Sequence, residues 1–447
     1  MFYLLIAIII ILLAISLKLF DFEIICPPIA MLLMFLFSEI VGLFAYEKFG
    51  YSTFQFKTVI YMTIGFLSYI GCSYLAKYIV NQKENGISTG TGQVSKAQKR
   101  IEYPAIIYIL VLAFELVLCI SFEKFAVQLV TSYGLNNSNF LTTSSSYRII
   151  STSADYDFQM PAYLRYGLRL IEIAGTYLAF IFFYNFSIKK LNWKDALCIL
   201  GVVFWLVSIF LRADRGTMLN VMACLICLLY FFSKRATEWS KKTDIIMVSI
   251  GGAALVLYVL IFPFMTIFMG RDSVSGAIAH ATDTILVYVS SATRAFDLYL
   301  QNPVTPAYFG QELFAALFKS LHTFFGIGEN TVRHLEMVYY ADLGTNIYTC
   351  FRRFYTIGGI FGILFFSGLE GFLYTFGYEY NKVTLQKGQV VFNIILFSYM
   401  SPGLFFMPID DIFYSTYVSV GFPARVLLMY LIYRFFLRGK INASKVA

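Results

Sequence analysis

Charge is scarce in this chain. Only 13% of its 447 residues are Asp, Glu, Lys or Arg, against about 25% in an ordinary soluble domain. With 59% hydrophobic residues beside it, that shortage excludes a soluble globular protein. Windows of roughly 20 apolar residues recur along nearly the whole length, the pattern of helices that cross a bilayer. The net charge of +8 is no nucleic-acid signal, because much of it sits in short loops between apolar runs, where it sets orientation. The seven cysteines lie mostly in or beside apolar runs. Cys224 and Cys227 form a C-x-x-C, but with no histidine or second pair near, so neither a disulfide framework nor a metal or redox site is expected. Nucleophile and metalloprotease motifs are missing: there is no H-E-x-x-H and no G-x-S-x-G. Gly90-Thr-Gly92 lacks the Lys-Ser/Thr follow-up of a phosphate loop. No internal repeat is present.

What the chain does contain predicts an all-α polytopic membrane protein, one integral domain over residues 1–447. About eleven transmembrane helices are expected, near 2–18, 25–45, 57–77, 103–121, 166–187, 195–211, 216–232, 245–267, 355–378, 389–408 and 416–436. Met1 to Phe20 has no basic start and no small-residue cleavage site, so it reads as a retained span. The loops at 81–102, 188–194 and 234–244, the loop with Lys382 and Lys387, and the tail with Arg434, Arg438, Lys440 and Lys445 all carry positive charge. They fall on one side, which positive loops make cytoplasmic; the N-terminus is then outside and the C-terminus inside.

Two segments remain for the outer side. Residues 122–164 are rich in Ser, Thr and Asn and read as a loop. Residues 269–354 form one large outer, periplasmic-side loop with short amphipathic helices and all three histidines, His280, His322 and His334. Gln311 to Phe325 reads as such a helix: Leu313, Phe314, Leu317, Phe318, Leu321, Phe324 and Phe325 recur at helical spacing, with Gln311, Glu312, Lys319 and Ser320 opposite. Gly358 and Gly362 make a small-xxx-small pair, expected to serve helix packing.

Under this topology ten of the fifteen arginines face outward or lie near the outer interface: Arg148, Arg165, Arg169, Arg212, Arg215, Arg271, Arg294, Arg333, Arg352 and Arg353. Lysine concentrates inside. A planar, permanently charged fork suits phosphate and carboxylate, so outer arginines point to an anionic ligand at that face. Arg165, Arg169 and Glu172 share one helix face by their spacing. Arg425 sits in the last span, and Glu39, Glu115 and Glu172 are its candidate intramembrane partners.

A lipid-linked pyrophosphate fits these features. Its departure needs electrostatic stabilisation, which arginines supply, and the attacking sugar hydroxyl needs a general base. Glu329, His334, Glu336 and Asp342 cluster beside Arg333 as candidate bases. Metal chemistry has little to stand on: residues 46–56 hold only Glu47, and Asp410-Asp411 is the one adjacent acid pair on the outer side.

The run Gly344-Thr-Asn-Ile-Tyr348-Thr-Cys-Phe351-Arg-Arg-Phe-Tyr355-Thr-Ile-Gly358-Gly-Ile-Phe-Gly362 resembles the end of the large outer loop in bacterial oligosaccharide repeat-unit polymerases, the O-antigen polymerases of the Wzy type. Arg215-Gly216 resembles the family's Arg-containing turn, and Arg333 and Gly344, with ten residues between them, match an Arg-x10-Gly spacing. The resemblance implies transfer of a growing glycan from undecaprenyl pyrophosphate to the next lipid-linked repeat unit, as in lipopolysaccharide O-antigen biosynthesis. It would occur without metal or other cofactor at the outer face of the bacterial cytoplasmic (inner) membrane. Arg215, Arg333, Tyr348, Arg352 and Tyr355 are the matching positions, with Arg165 and Arg169 assisting at the pyrophosphate. The implied partners are the lipid-linked oligosaccharide and the bilayer, and a chain-length-regulating co-polymerase stays open. A flippase for the same lipid, the related O-antigen ligase and a membrane acyltransferase are the alternatives.

Overall fold

The computed structural model describes residues 1–85, 99–152, 159–253, 277–328, 336–341 and 343–442. The chain is a helical membrane protein with almost no sheet. In order, α1 (Phe2–Leu19), α2 (Pro27–Phe49), α3 (Phe56–Asn85), α4 (Ala105–Ser132), the short α5 (Phe140–Thr152), α6 (Ala162–Ser187), α7 (Trp193–Leu211) and α8 (Arg215–Ala236) come first. Next are α9 (241–253), α10 (Ala277–Ser290), α11 (Ala292–Gln301) and α12 (Ala315–Phe325). A hairpin of β1 (Val338–Tyr340) and β2 (Leu343–Thr345) leads into α13 (Cys350–Gly358), α14 (Ile360–Gln386), α15 (Phe392–Met400), α16 (Pro402–Phe405) and α17 (Gly421–Ile432). Among the described residues eight helices are long and apolar enough to cross a membrane: α1, α2, α3, α4, α6, α7, α8 and α14.

The expected spans after α8 take other forms. That near 245–267 is described only to residue 253. That near 389–408 is broken between α15 and α16, where Pro402 has no N–H to continue the ladder. That near 416–436 opens as a π-turn, Phe413–Tyr417, loses helical form at 418–420, resumes as α17 and ends in a second π-turn, Tyr433–Leu437. The Asp411 carboxylate caps the first π-turn, accepting from the backbone N–H of Tyr414 at 3.0 Å and Ser415 at 3.1 Å.

The chain divides into two compact units. One comprises Met1–Val94, Ser240–Val248 and Asp283–Tyr430; the other comprises Ser95–Trp239, Ser249–Thr282 and Leu431–Ala447. In the first, α3 and α14 make the most extensive contact among the described helices. A Cβ on Gly371 would stand 2.5 Å from the Tyr69 carbonyl oxygen, and one on Gly368 would stand 2.7 Å from Ser68 Oγ. Small residues let the backbones approach until Ser68 and Ser73 donate hydroxyls to the carbonyls of Leu364 and Gly371. The glycines at this interface are therefore not the expected pair. Gly358 meets nothing, and Gly362 fits under the Phe354 carbonyl where the chain turns from α13 into α14 through Gly359 at φ +60°. In the second unit, Asn192 and Asp195 form a capping box at the start of α7, and Asn185 from α6 donates to Asp195 at 2.9 Å.

Candidate functional site

The site builds from α13, a nine-residue helix that opens with five buried side chains, two of them consecutive arginines. Successive helical positions diverge by roughly 100°, so the five point to different neighbours. Phe351 packs between Phe35 and Phe66 and lies over Gly65. Phe354 meets Phe366 and Tyr414. Arg353 Nε donates to Asp410 Oδ1 at 3.0 Å, and its Nη1 donates to the Glu312 carbonyl at 2.9 Å.

Arg352 is fully enclosed, at 0% side-chain exposure. Its guanidinium packs against two nearly perpendicular tyrosine rings, 4.5 Å from Tyr299 and 4.3 Å from Tyr348, a cation–π arrangement strengthened by desolvation. Its Nη2 donates to Glu336 Oε2 at 2.5 Å and to Glu312 Oε1 at 3.3 Å, while Nη1 stands 3.1 Å from Glu312 Oε2. The two carboxylates differ in access: the Glu312 side chain is 12% exposed and that of Glu336 is 39% exposed. Burial pushes the Glu312 carboxyl above its ordinary value, and the charges of Arg352 and Arg353 pull it back. Burial likewise pushes the Tyr348 phenol up to about 12, against the pull of Arg352, so at neutral pH its hydroxyl keeps its proton and donates to the Glu336 carbonyl at 3.0 Å. Tyr355, half-buried, stacks near Tyr299 and Tyr61.

The elements around Arg352 are positioned by ordinary local causes. α11 is held by Arg294, whose guanidinium lies over Phe2, Tyr51 and Phe54 and stands 3.8 Å from Glu39 on α2. Gly42 leaves the room, since a Cβ there would meet Arg294 Nη1 at 2.6 Å. The hairpin pairs Val338 with Thr345 and Tyr340 with Leu343, and Tyr340 sets its ring edge-on to Tyr51 at 4.8 Å. α12 begins only at Ala315, four residues later than its apolar spacing suggests. The Glu312 carbonyl is taken by Arg353 instead of a helical N–H, and Glu312 faces the arginines instead of solvent.

Of the residues singled out from sequence, Glu336, Tyr348, Arg352 and Tyr355 come together here. Arg165 and Arg169 lie on α6 in the other unit, both exposed, and Arg169 pairs with Glu172 at 3.1 Å. Arg215 opens α8, with Asp214 as its N-cap accepting from the Thr217 N–H. Glu329, Arg333, His334 and Asp342 lie outside the described residues. His322 Nδ1 donates to the Gly328 carbonyl. The expected glutamate partner of Arg425 is corrected: Glu39 stands by Arg294 and Glu172 by Arg169, while Arg425 donates to the Tyr399 hydroxyl at 2.6 Å. Tyr299, Glu312 and Asp410 complete the site unforeseen. A cavity of about 500 Å³ between α1 and α3, lined by Lys18, Tyr74, Lys77 and Tyr78 among others, shares no residue with it.

No family model, curated protein or solved structure matches this chain. Function therefore has to be argued from the site. Its arrangement suits two tasks: holding a dianionic group by a planar fork in a low-dielectric setting, and presenting one accessible carboxylate beside that fork.

Proposed function

We propose that the protein is a glycan polymerase. It moves a growing oligosaccharide from undecaprenyl pyrophosphate onto the next lipid-linked repeat unit, at the outer face of the bacterial cytoplasmic membrane, with about eleven spans and residues 269–354 on that face. The observation that carries the reading is the enclosed Arg352 between Tyr299 and Tyr348 with the more accessible Glu336 at its edge. Tyr348 and Arg352 fall inside the stretch that resembles repeat-unit polymerases.

In the reaction a hydroxyl of the acceptor sugar attacks the anomeric carbon of the donor. The hydroxyl proton passes to a carboxylate, for which Glu336 is the choice among the candidate bases. The bond from the anomeric carbon to the diphosphate oxygen breaks, and its electron pair stays on the diphosphate, where Arg352 stabilises the growing charge. Tyr355, half-buried, offers aromatic surface to the sugars, and Tyr348, buried against Arg352, keeps its sugar-binding role on the sequence argument alone. Arg165, Arg169, Arg215 and Arg333 keep their phosphate-binding role on the sequence argument, as His334 and Asp342 keep theirs as alternative bases.

The test is to incubate the purified protein with lipid-linked repeat unit from its host and resolve the products on a gel. A ladder of regularly spaced glycans supports the reading. Transfer to added lipopolysaccharide core makes the protein a ligase, and intact substrate overturns the enzyme. Arg352→Lys is expected to lower ladder formation by about 100-fold, because a point charge does not replace a bidentate fork.

A further inference from the structure

The Arg352 side chain is fully enclosed, at 0% exposure. Tyr299 and Tyr348, their rings nearly perpendicular, pack against it from two adjacent sides, and Glu312 and Glu336 lie along its Nη edge. An anion therefore reaches Arg352 only when one of its present partners leaves. We infer that Glu336 is the partner that leaves, so that a diphosphate and Glu336 compete for Arg352 while Glu312 remains as its fixed counter-ion. This rests on the reading that Arg352 meets a diphosphate.

The two carboxylates are unequal in ways that decide the exchange. Glu312 is the more buried, and its own carbonyl is tied to Arg353. Withdrawing it would strand a buried carboxylate and expose a gap beside two arginines, the costly kind of broken ion pair. Glu336 is 39% exposed and touches the guanidinium only through Nη2. Its backbone is pinned separately, by the Tyr348 hydroxyl on its carbonyl. The Glu336 side chain can thus rotate into solvent without moving the hairpin that follows it.

The exchange has a chemical consequence. While Glu336 holds Arg352, one of its two carboxylate oxygens, Oε2, is occupied by an N–H donor. When diphosphate oxygens take that N–H, the Oε2 atom is freed and the carboxylate can turn toward the acceptor hydroxyl. Diphosphate binding and release of the base are then one event. Glu312 becomes a positioning residue: it keeps the guanidinium in place through the exchange and touches neither sugar nor phosphate.

Calorimetric titration of the purified full-length protein with inorganic pyrophosphate tests the competition directly. Glu336→Gln keeps the shape of the side chain and removes the competing charge, at a position exposed enough to leave the fold intact. It is expected to tighten pyrophosphate binding by roughly tenfold while lowering glycan transfer by about 10²–10⁴-fold. Glu312→Gln is expected to leave pyrophosphate binding unchanged or weaker, because no competitor is removed. Adding Arg352→Gln to Glu336→Gln should erase the gain, which ties the signal to this arginine. Equal or weaker binding by Glu336→Gln overturns the exchange, as does pyrophosphate binding to neither protein, even if the ladder forms and the polymerase stands. Tightened binding by Glu336→Gln with no ladder from the unsubstituted protein keeps the exchange and overturns the polymerase.

Discussion

In the unit that carries α13, buried charge is drawn together from distant parts of the chain. Arg352 meets Glu312 across 40 residues, and Arg353 meets Asp410 across 57. Arg294, Arg352 and Arg353, the fully buried arginines among the described residues, all belong to it. In the unit of α4, α6, α7 and α8, buried polar contacts mostly serve helix ends: Arg100 meets Asp195 at 2.7 Å, and Asn185 holds Ile101 and Asp195. The long helices there are unbroken, whereas α15, α16 and α17 are interrupted. One unit encloses arginine–carboxylate pairs, an arrangement that costs stability unless it serves a site; the other places most of its polar contacts at helix ends, with Glu115 of α4 and Lys234 of α8 as buried exceptions.

Five substitutions would break or sharpen that contrast. The largest effect is expected from Arg352→Ala, which leaves Glu312 and Glu336 facing each other without a counter-ion. A loss of about 3–5 kcal/mol is expected, read as a lowered melting temperature in detergent together with lost transfer. Glu336→Gln comes next, with transfer lowered by about 10²–10⁴-fold, the ordinary range for a removed general base, and the melting temperature nearly unchanged. A normal rate in that variant would move the base to another residue. Gly371→Ala should destabilise by about 1–3 kcal/mol, since the new methyl meets the rigid backbone of Tyr69. Gly201→Ala in the other unit should cost less, because its nearest obstacle is the mobile end of Leu178; equal shifts in thermal unfolding would erase the distinction. Arg169→Ala should change stability by about 0.5 kcal/mol or less, since Arg169 is itself exposed and pairs with a neighbour only three residues on. Lost transfer in that stable variant would mark Arg169 as facing substrate.

Hydropathy made the unbroken spans legible, because α1, α2, α4, α6 and α7 are long apolar windows bounded by charge or turn residues. The interrupted ones were not. A window sums apolar character and does not register that Pro402 removes an N–H or that Asp411 seizes two backbone donors to wind a π-turn. The hairpin escaped notice because three residues a strand show no alternation worth reading. At the site, Tyr348, Arg352 and Tyr355 were visible through a local motif, and Glu336 through its place in a charged cluster. Glu312 was read as the polar face of an amphipathic helix, which its spacing permits. Only the fold, by bringing α13 against the turn before α12, turns it toward two arginines. Asp410 stood out as half of an acid pair, but nothing local connects it to Arg353.

The distance along the chain between those partners also orders events during synthesis. A chain that has emerged as far as α13 carries Arg353 with no carboxylate to receive it, because Asp410 is still 57 residues away. Arg352 already has Glu312 and Glu336 upstream, but an unpaired Arg353 does not settle among Phe351, Phe354 and the apolar helices in that condition. α13 must therefore wait near water while α14 and α15 insert, and dock after them, out of sequence order. A nascent chain arrested between residues 358 and 410 should leave α13 open to protease, and release of the arrest should protect it.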